Sequence, residues 1–156
     1  MRIGVVSDTH GLLRPEVLPL LAGADHILHL GDVGDPEILG KLATVAPVIA
    51  IRGNIDTHGP CARLPETEVA TIAGHNFYML HNVQRLDLNP AAAGFAAVLY
   101  GHSHKPEIHW KKGILYLNPG SCGPRRFKLP VTCARITIDD NGRIEAKILE
   151  LPITPV

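Results

Sequence analysis

The chain has 156 residues, of which 46% are hydrophobic and 19% charged, with 15 basic and 15 acidic side chains and a formal net charge of zero. That balance excludes disorder and fits one domain, residues 1–156, large enough to bury its own core without disulfides. With no run of either sign, affinity for a nucleic-acid backbone or an anionic membrane is not indicated, and no apolar stretch reaches the ~18 residues of a membrane span.

The opening segment, Met1 to Asp8, reads as a strand rather than a signal peptide, so residence in the cytoplasm is expected. Ile3 to Ser7 is a short apolar run of the kind found in buried strands. A helix is predicted over Pro15 to Ala22, a strand over His26 to Leu30, a second helix over Pro36 to Thr44 with Asp35 as its cap, and a strand over Val48 to Ile51. Strand and helix alternating in this way imply right-handed crossovers and a parallel sheet.

The pattern then changes. Glu68 to Ile72 and Phe77 to Leu80 flank Ala73-Gly74-His75, and Glu107 to Trp110 and Ile114 to Leu117 flank Lys111-Lys112-Gly113; both read as hairpins. Ala97 to Tyr100 is an isolated apolar run. Val131 to Ile138 and Arg143 to Leu149 alternate around Asp140-Asn141-Gly142. The second half is therefore expected to be mostly antiparallel, and the whole an α/β fold of two sheets packed face to face with helices outside. The three cysteines, Cys61, Cys122 and Cys133, are scattered and form neither a disulfide framework nor a thiolate zinc site by spacing.

Several apolar runs end in the same punctuation: Ser7-Asp8-Thr9-His10, Gly31-Asp32, Gly53-Asn54, Leu80-His81 and Gly101-His102-Ser103-His104. Ligand sites of open α/β sheets form outside the carboxyl ends of the strands. Strands lying side by side would bring Asp8, His10, Asp32, Asn54, His81, His102 and His104 to one mouth. Carboxylate, imidazole and amide oxygen together suit first-row divalent ions: manganese above all, with nickel, zinc or iron as alternatives. Seven donors are too many for one catalytic ion with open positions and suit two, with Asp32 between them as the bridge. A lone Gly-Asp or Asp-x-His is more often an ordinary turn; the ordered series is what carries the reading.

That series resembles the calcineurin-like metallophosphoesterase superfamily, in particular its small single-domain bacterial and archaeal phosphodiesterases. Ile3 to Gly11 and Asn118-Pro119-Gly120-Ser121, followed by Pro124-Arg125, are similar to that branch, and the likeness runs from residue 3 to about residue 125. The resemblance implies a four-layer αββα sandwich of two mixed sheets. It implies Asp8, His10, Asp32 and His104 around a first metal and Asp32, Asn54, His81 and His102 around a second. It also implies hydrolysis of a small phosphate ester, most simply a diester, by in-line attack of a metal-activated hydroxide, with Asp32, Asn54 and His81 as the catalytic set. Asn54, Asp56, Asn118 and Ser121 are expected near substrate. Relatives often carry histidine after Gly-Asn; here Ile55 stands there, as small members of the branch also lack it. The competing expectations are an inactive scaffold on the same fold, as in the retromer subunit, and a phosphomonoesterase or nucleotide hydrolase at the same site. The strand-rich half leaves room for a homodimer or tetramer.

Overall fold

In the computed structural model, which describes residues 1–153, ten strands form two five-stranded sheets. The first sheet has the order β10-β9-β1-β2-β3, made of β1 (Arg2–Val6), β2 (His26–His29), β3 (Val48–Ala50), β9 (Thr132–Ile138) and β10 (Ile144–Glu150). The strands β1, β2 and β3 run parallel, as the strand–helix alternation predicts. The second sheet has the order β4-β5-β6-β8-β7, made of β4 (Thr67–Ile72), β5 (His75–Leu80), β6 (Ala97–Leu99), β7 (Glu107–Lys111) and β8 (Ile114–Asn118).

Two features depart from the sequence reading. The second half is mostly antiparallel, as expected, but its sheet has a parallel centre that was not: β5 runs parallel to β6, and β6 to β8, with the antiparallel strands β4 and β7 at the edges. The C-terminal hairpin β9–β10 returns to the first sheet, pairing with β1. Alternation marks which face of a strand is buried but not which strand lies beside it, so partners distant in sequence were not legible.

Helices are few. Helix α2 (Pro36–Ala43) forms as expected, with Asp35 accepting from the Glu37 amide at 2.9 Å and Pro36 in the first turn. Ile38 and Leu42 bury its apolar face. Helix α1 is only Val17–Leu20, shorter than predicted, because Pro19 lacks an N–H and no side chain caps the start. Both pack on the outer face of the first sheet, against Val6, Ile27 and Cys133. The outer face of the second sheet, with Tyr78, Val98 and Tyr100, is covered by a short 3-10 turn (Val83–Arg85) and by Leu86, Leu88 and Phe95 instead of an α-helix.

Between the sheets lies the main core, including Ile3, Leu28, Phe77, Met79, Leu115 and Ile136. Because β1, β2, β3, β5 and β6 are parallel within their sheets, their carboxyl ends deliver Asp8, Asp32, Asn54, His81 and His102 to one end of the sandwich. No helix among the described residues is long and apolar enough to cross a membrane.

Candidate metal centre

At that end, side chains from both sheets converge. The Asp8 Oδ1 atom lies 3.7 Å from His10 Nε2, 3.7 Å from His81 Nε2 and 3.4 Å from His104 Nε2. The Asp32 Oδ2 atom lies 3.3 Å from His10 Nε2 and 3.2 Å from His81 Nε2. The imidazoles stand in two pairs, His10 with His104 at 5.1 Å and His81 with His102 at 5.3 Å between ring centres. Asn54 and His102 sit at the exposed rim, 3.3 Å apart through Oδ1 and Nδ1.

The second oxygen of each carboxylate is already held. Asp8 Oδ2 accepts from the Ser7 hydroxyl at 2.7 Å and the His102 amide at 3.1 Å, and Asp32 Oδ1 accepts from the Ile55 amide at 3.0 Å. His81 Nδ1 lies 2.7 Å from the Leu30 carbonyl, which can only accept, so Nδ1 carries a proton and Nε2 is the ring atom that faces the carboxylates. Asp8 Oδ1, His10 Nε2, His81 Nε2 and His104 Nδ1 are buried without a hydrogen-bond partner among the described residues. Buried polar atoms without partners are costly, and a cluster of them facing one another is what a cation repays.

The backbone is strained at the same place. Eight non-glycine residues have positive φ among those described, and five are ligand candidates: Asp8, His10, Asp32, His102 and His104. Left-handed backbone disfavours a Cβ and gathers at functional sites. Neighbouring glycines leave the room this geometry needs. A Cβ on Gly53 would run into the Asp32 carboxylate, and one on Gly101 into Ser7 Oγ. The strain can be isolated at exposed His102, whose φ is 73°. His102→Gly should leave the metal-free protein about 1 kcal/mol more stable than His102→Ala, since both lose the ring and only glycine relieves the backbone. Chemical denaturation of the two variants measures the difference, and equal stabilities would remove the strain argument.

The calcineurin-like phosphoesterase superfamily domain matches residues 1–141. The chain belongs to the calcineurin-like phosphoesterase superfamily. A probable metallophosphoesterase of Methanothermobacter thermautotrophicus is 35% identical over 96% of this chain and 92% of its own. Another, of Methanocaldococcus jannaschii, is 32% identical over 97% of this chain and 82% of its own. A solved archaeal phosphodiesterase superposes with a TM-score of 0.77, covering 96% of this chain and 100% of that one; at 21% identity it shows the shared fold alone.

In this calcineurin-like domain, two groups have metal-ligand spacing: Asp8, His10 and His104, and Asp8, Asp32 and His81. With the unpartnered buried atoms, the residues present fit divalent cations. Electrostatics agree. Burial pushes the Asp8 carboxyl up, but His10, His104, His81 and Ser7 outweigh it and hold it well below the usual carboxylate range. Asp32 is likewise lowered, burial being overcome by His81 and the Ile55 amide. Burial pushes His81 down, yet Asp32 and Asp8 raise it overall. Both carboxylates are therefore anionic at neutral pH, ready for a cation.

Asp56, Asn118 and Ser121, expected near substrate, are buried with their polar atoms hydrogen-bonded inside the protein. Asp56 is buried and accepts from the amides of Val33, Gly34 and Gly53 at 2.9–3.1 Å. Asn118 is buried and binds the Gly101 carbonyl, Ser103 Oγ and the Gly120 amide. The Ser121 hydroxyl donates to the Asp8 carbonyl at 2.8 Å. All three hold the loops that carry ligands.

His29, which stands outside the ordered series of ligand candidates, is a further support. It is fully buried; Nδ1 accepts from the Gly31 amide at 3.1 Å, leaving Nε2 to donate to Thr9 Oγ1 at 3.0 Å. The Thr9 hydroxyl donates onward to the Val33 carbonyl at 2.8 Å. One neutral imidazole thus ties the Asp8–His10 turn to the Gly31–Asp32 turn. Burial, only partly opposed by Asp8, Asp56 and Asp32, lowers its pKa to about 4. The unfolded chain takes up a proton near pH 6.5 that the native state refuses. The His29 contribution is therefore complete above pH about 6.5 and lost progressively as pH falls toward 4, a change of about 3 kcal/mol. Urea unfolding of metal-free protein across that window should show a shallower pH dependence for His29→Gln than for the parent; parallel curves would contradict the assignment.

Proposed function

We propose that this phosphoesterase is a dinuclear, metal-dependent phosphodiesterase. The observation that carries the reading is the set of buried, unpartnered atoms Asp8 Oδ1, His10 Nε2 and His81 Nε2 beside Asp32 Oδ2. Asp8, His10, Asp32 and His104 would hold one cation and Asp32, Asn54, His81 and His102 the other. When bound, the two cations supply Lewis acidity toward the phosphoryl oxygens and a water of lowered pKa as nucleophile. The chain's own residues do the rest. The Leu30 carbonyl fixes the His81 tautomer, Asp32 presents one oxygen to both histidine pairs, and Asn54 stands at the rim with its amide toward incoming ester. The mixed oxygen and nitrogen donors suit manganese, with nickel, zinc or iron as alternatives. The three cysteines are buried and unbridged, in keeping with a reducing compartment such as the cytoplasm.

Preference for a diester is supported by a cleft of about 510 Å³ that opens beside His81, His102 and Asn54 and extends past Leu80 and Tyr78 to Arg85. A monoester needs no such space beyond the phosphorus; a second ester group would fill part of it. The test is hydrolysis of bis(p-nitrophenyl) phosphate and p-nitrophenyl phosphate by chelator-stripped protein reloaded with manganese. Faster turnover of the diester is expected. Faster turnover of the monoester would favour the phosphomonoesterase reading, and failure to bind metal or hydrolyse either ester would favour a scaffold.

A further inference from the structure

Strand β7 closes one side of the second sheet, pairing among the described residues only with β8. All five of its residues are exposed, including Trp110 at 51% and Ile108 at 37%. Lys112 and Gly113, which join β7 to β8, have φ of 51° and 77°. Two positive values in a two-residue connection define a type I′ turn, in which the flanking residues, Lys111 and Ile114, form a hydrogen-bonded pair. Along an antiparallel ladder such pairs alternate with non-bonded ones. The peptide groups of Glu107, His109 and Lys111 therefore face β8, and those of Ile108 and Trp110 face outward. Of the devices that keep edges from pairing, this short strand has charged residues at its two ends, but among the described residues it has no proline, no bulge and no covering helix.

The side chains say what pairs there. Ile108 and Trp110 stand opposite Leu117 and Leu115, which belong to the core between the sheets, so both lie on the inner face at its open margin. Trp110 also walls a cavity of about 730 Å³ with His75, Arg143 and Ile144, apart from every metal-ligand candidate. Glu107 and Lys111 lie on the outer face with His109 between them, its ring stacked on Tyr116 at 4.9 Å. Glu107-Ile108-His109-Trp110-Lys111 thus has acid, apolar, centre, apolar, base: a pattern complementary to itself when reversed.

We propose that the protein is a two-fold dimer joined by antiparallel pairing of β7 with β7 of a second copy, centred on His109. In this register Glu107 faces the partner's Lys111, and Ile108 faces the partner's Trp110, exchanging both backbone hydrogen bonds. Opposite charges directly across a strand pair are favourable and like charges unfavourable. The four apolar side chains would form one strip across the axis. The edge strand β10, packed beside β7, has the same symmetry about Ala146, with Glu145 and Lys147 flanked by Ile144 and Ile148. Strand β4 carries Glu68 without a matching cation and has no such symmetry. This proposal does not depend on the chemistry of the metal centre.

Sedimentation of the full chain should give twice the 16.8 kDa monomer mass. Glu107→Lys and Lys111→Glu should each sediment as monomers, and a mixture of the two should dimerise, because only the mixed pair restores opposite charges on both sides of the axis. His109→Cys should cross-link on mild oxidation and Lys111→Cys should not, since a non-bonded antiparallel pair places its Cα atoms about 4.5 Å apart, within disulfide reach. The native cysteines are buried and give little background. Circular dichroism checks that each variant is folded, and Trp110→Pro, which removes the indole and an outward-facing N–H but no hydrogen bond to β8, serves as an alternative if a charge variant is not. A wild-type monomer at all concentrations overturns the proposal. So does a dimer that survives the single charge reversals, or one that His109→Cys fails to cross-link.

Discussion

Asp32→Ala should abolish binding of the second cation and lower metal-dependent hydrolysis by about 10³-fold. The size follows from what the carboxylate does. Its Oδ2 lies 3.3 and 3.2 Å from His10 and His81, one imidazole from each proposed metal set, while Oδ1 fixes the Ile55 amide. Loss of one preorganised group that stabilises transition-state charge commonly costs about 10²–10³-fold, and here a shared ligand is lost as well. Asp32→Asn separates charge from shape, since its amide oxygen can still accept from Ile55. It should fail nearly as badly as alanine, because the bridge needs an anion. The metal-free protein should lose some stability with the asparagine, because His81 and the Ile55 amide hold Asp32 as an anion and outweigh the opposing charge of Asp8. Metal analysis and steady-state rates on the same preparations decide the matter. A variant that keeps the wild-type metal content and rate would remove Asp32 from the centre.

The site was legible in the sequence to the extent that its residues announce themselves at strand ends. Glycine beside a carboxylate, amide or imidazole marked Asp32, Asn54 and His102, and the structure shows why: Gly53 and Gly101 admit no Cβ against the groups they pack on. The supporting layer was not legible. Ser121 meets the Asp8 carbonyl across 113 positions of sequence, and Asn118 reaches the Gly101 carbonyl across 17. No local spacing encodes such contacts, so a buried hydroxyl or amide looks in sequence like a substrate contact. Asp56 misleads in the same way: its place two residues after Asn54 suggested the mouth, but its carboxylate is taken up by three backbone amides. His29 left one trace, a histidine following the apolar pair Ile27-Leu28 in a strand, two residues before Gly31-Asp32. A polar residue buried there must be hydrogen-bonded, but its partners depend on a strand register that the sequence does not disclose.

Position 55 governs the second large effect. Many relatives have a histidine there, and this chain has Ile55, 37% exposed and joined by its amide to Asp32. An alkyl side chain donates no proton, and the neighbouring Asn54 amide does not titrate near neutrality. His58, three residues on, is exposed, with Nδ1 3.4 Å from the Thr57 hydroxyl. The leaving oxygen must therefore depart without an acid from this loop. Turnover should fall steeply as the leaving-group pKa rises, so that aryl diesters are cleaved readily and alkyl diesters slowly. General acid catalysis commonly contributes about 10²–10⁴-fold. Ile55→His should accordingly raise alkyl diester turnover by about 10²-fold, change activated aryl diesters little and leave metal content as it was. A flatter dependence on leaving-group pKa in Ile55→His, with bound metal unchanged, assigns the gain to proton donation; an equal gain on both ester classes would assign it to binding. Equal wild-type rates on aryl and alkyl diesters, with the chemical step limiting, would mean that some other residue already supplies the proton.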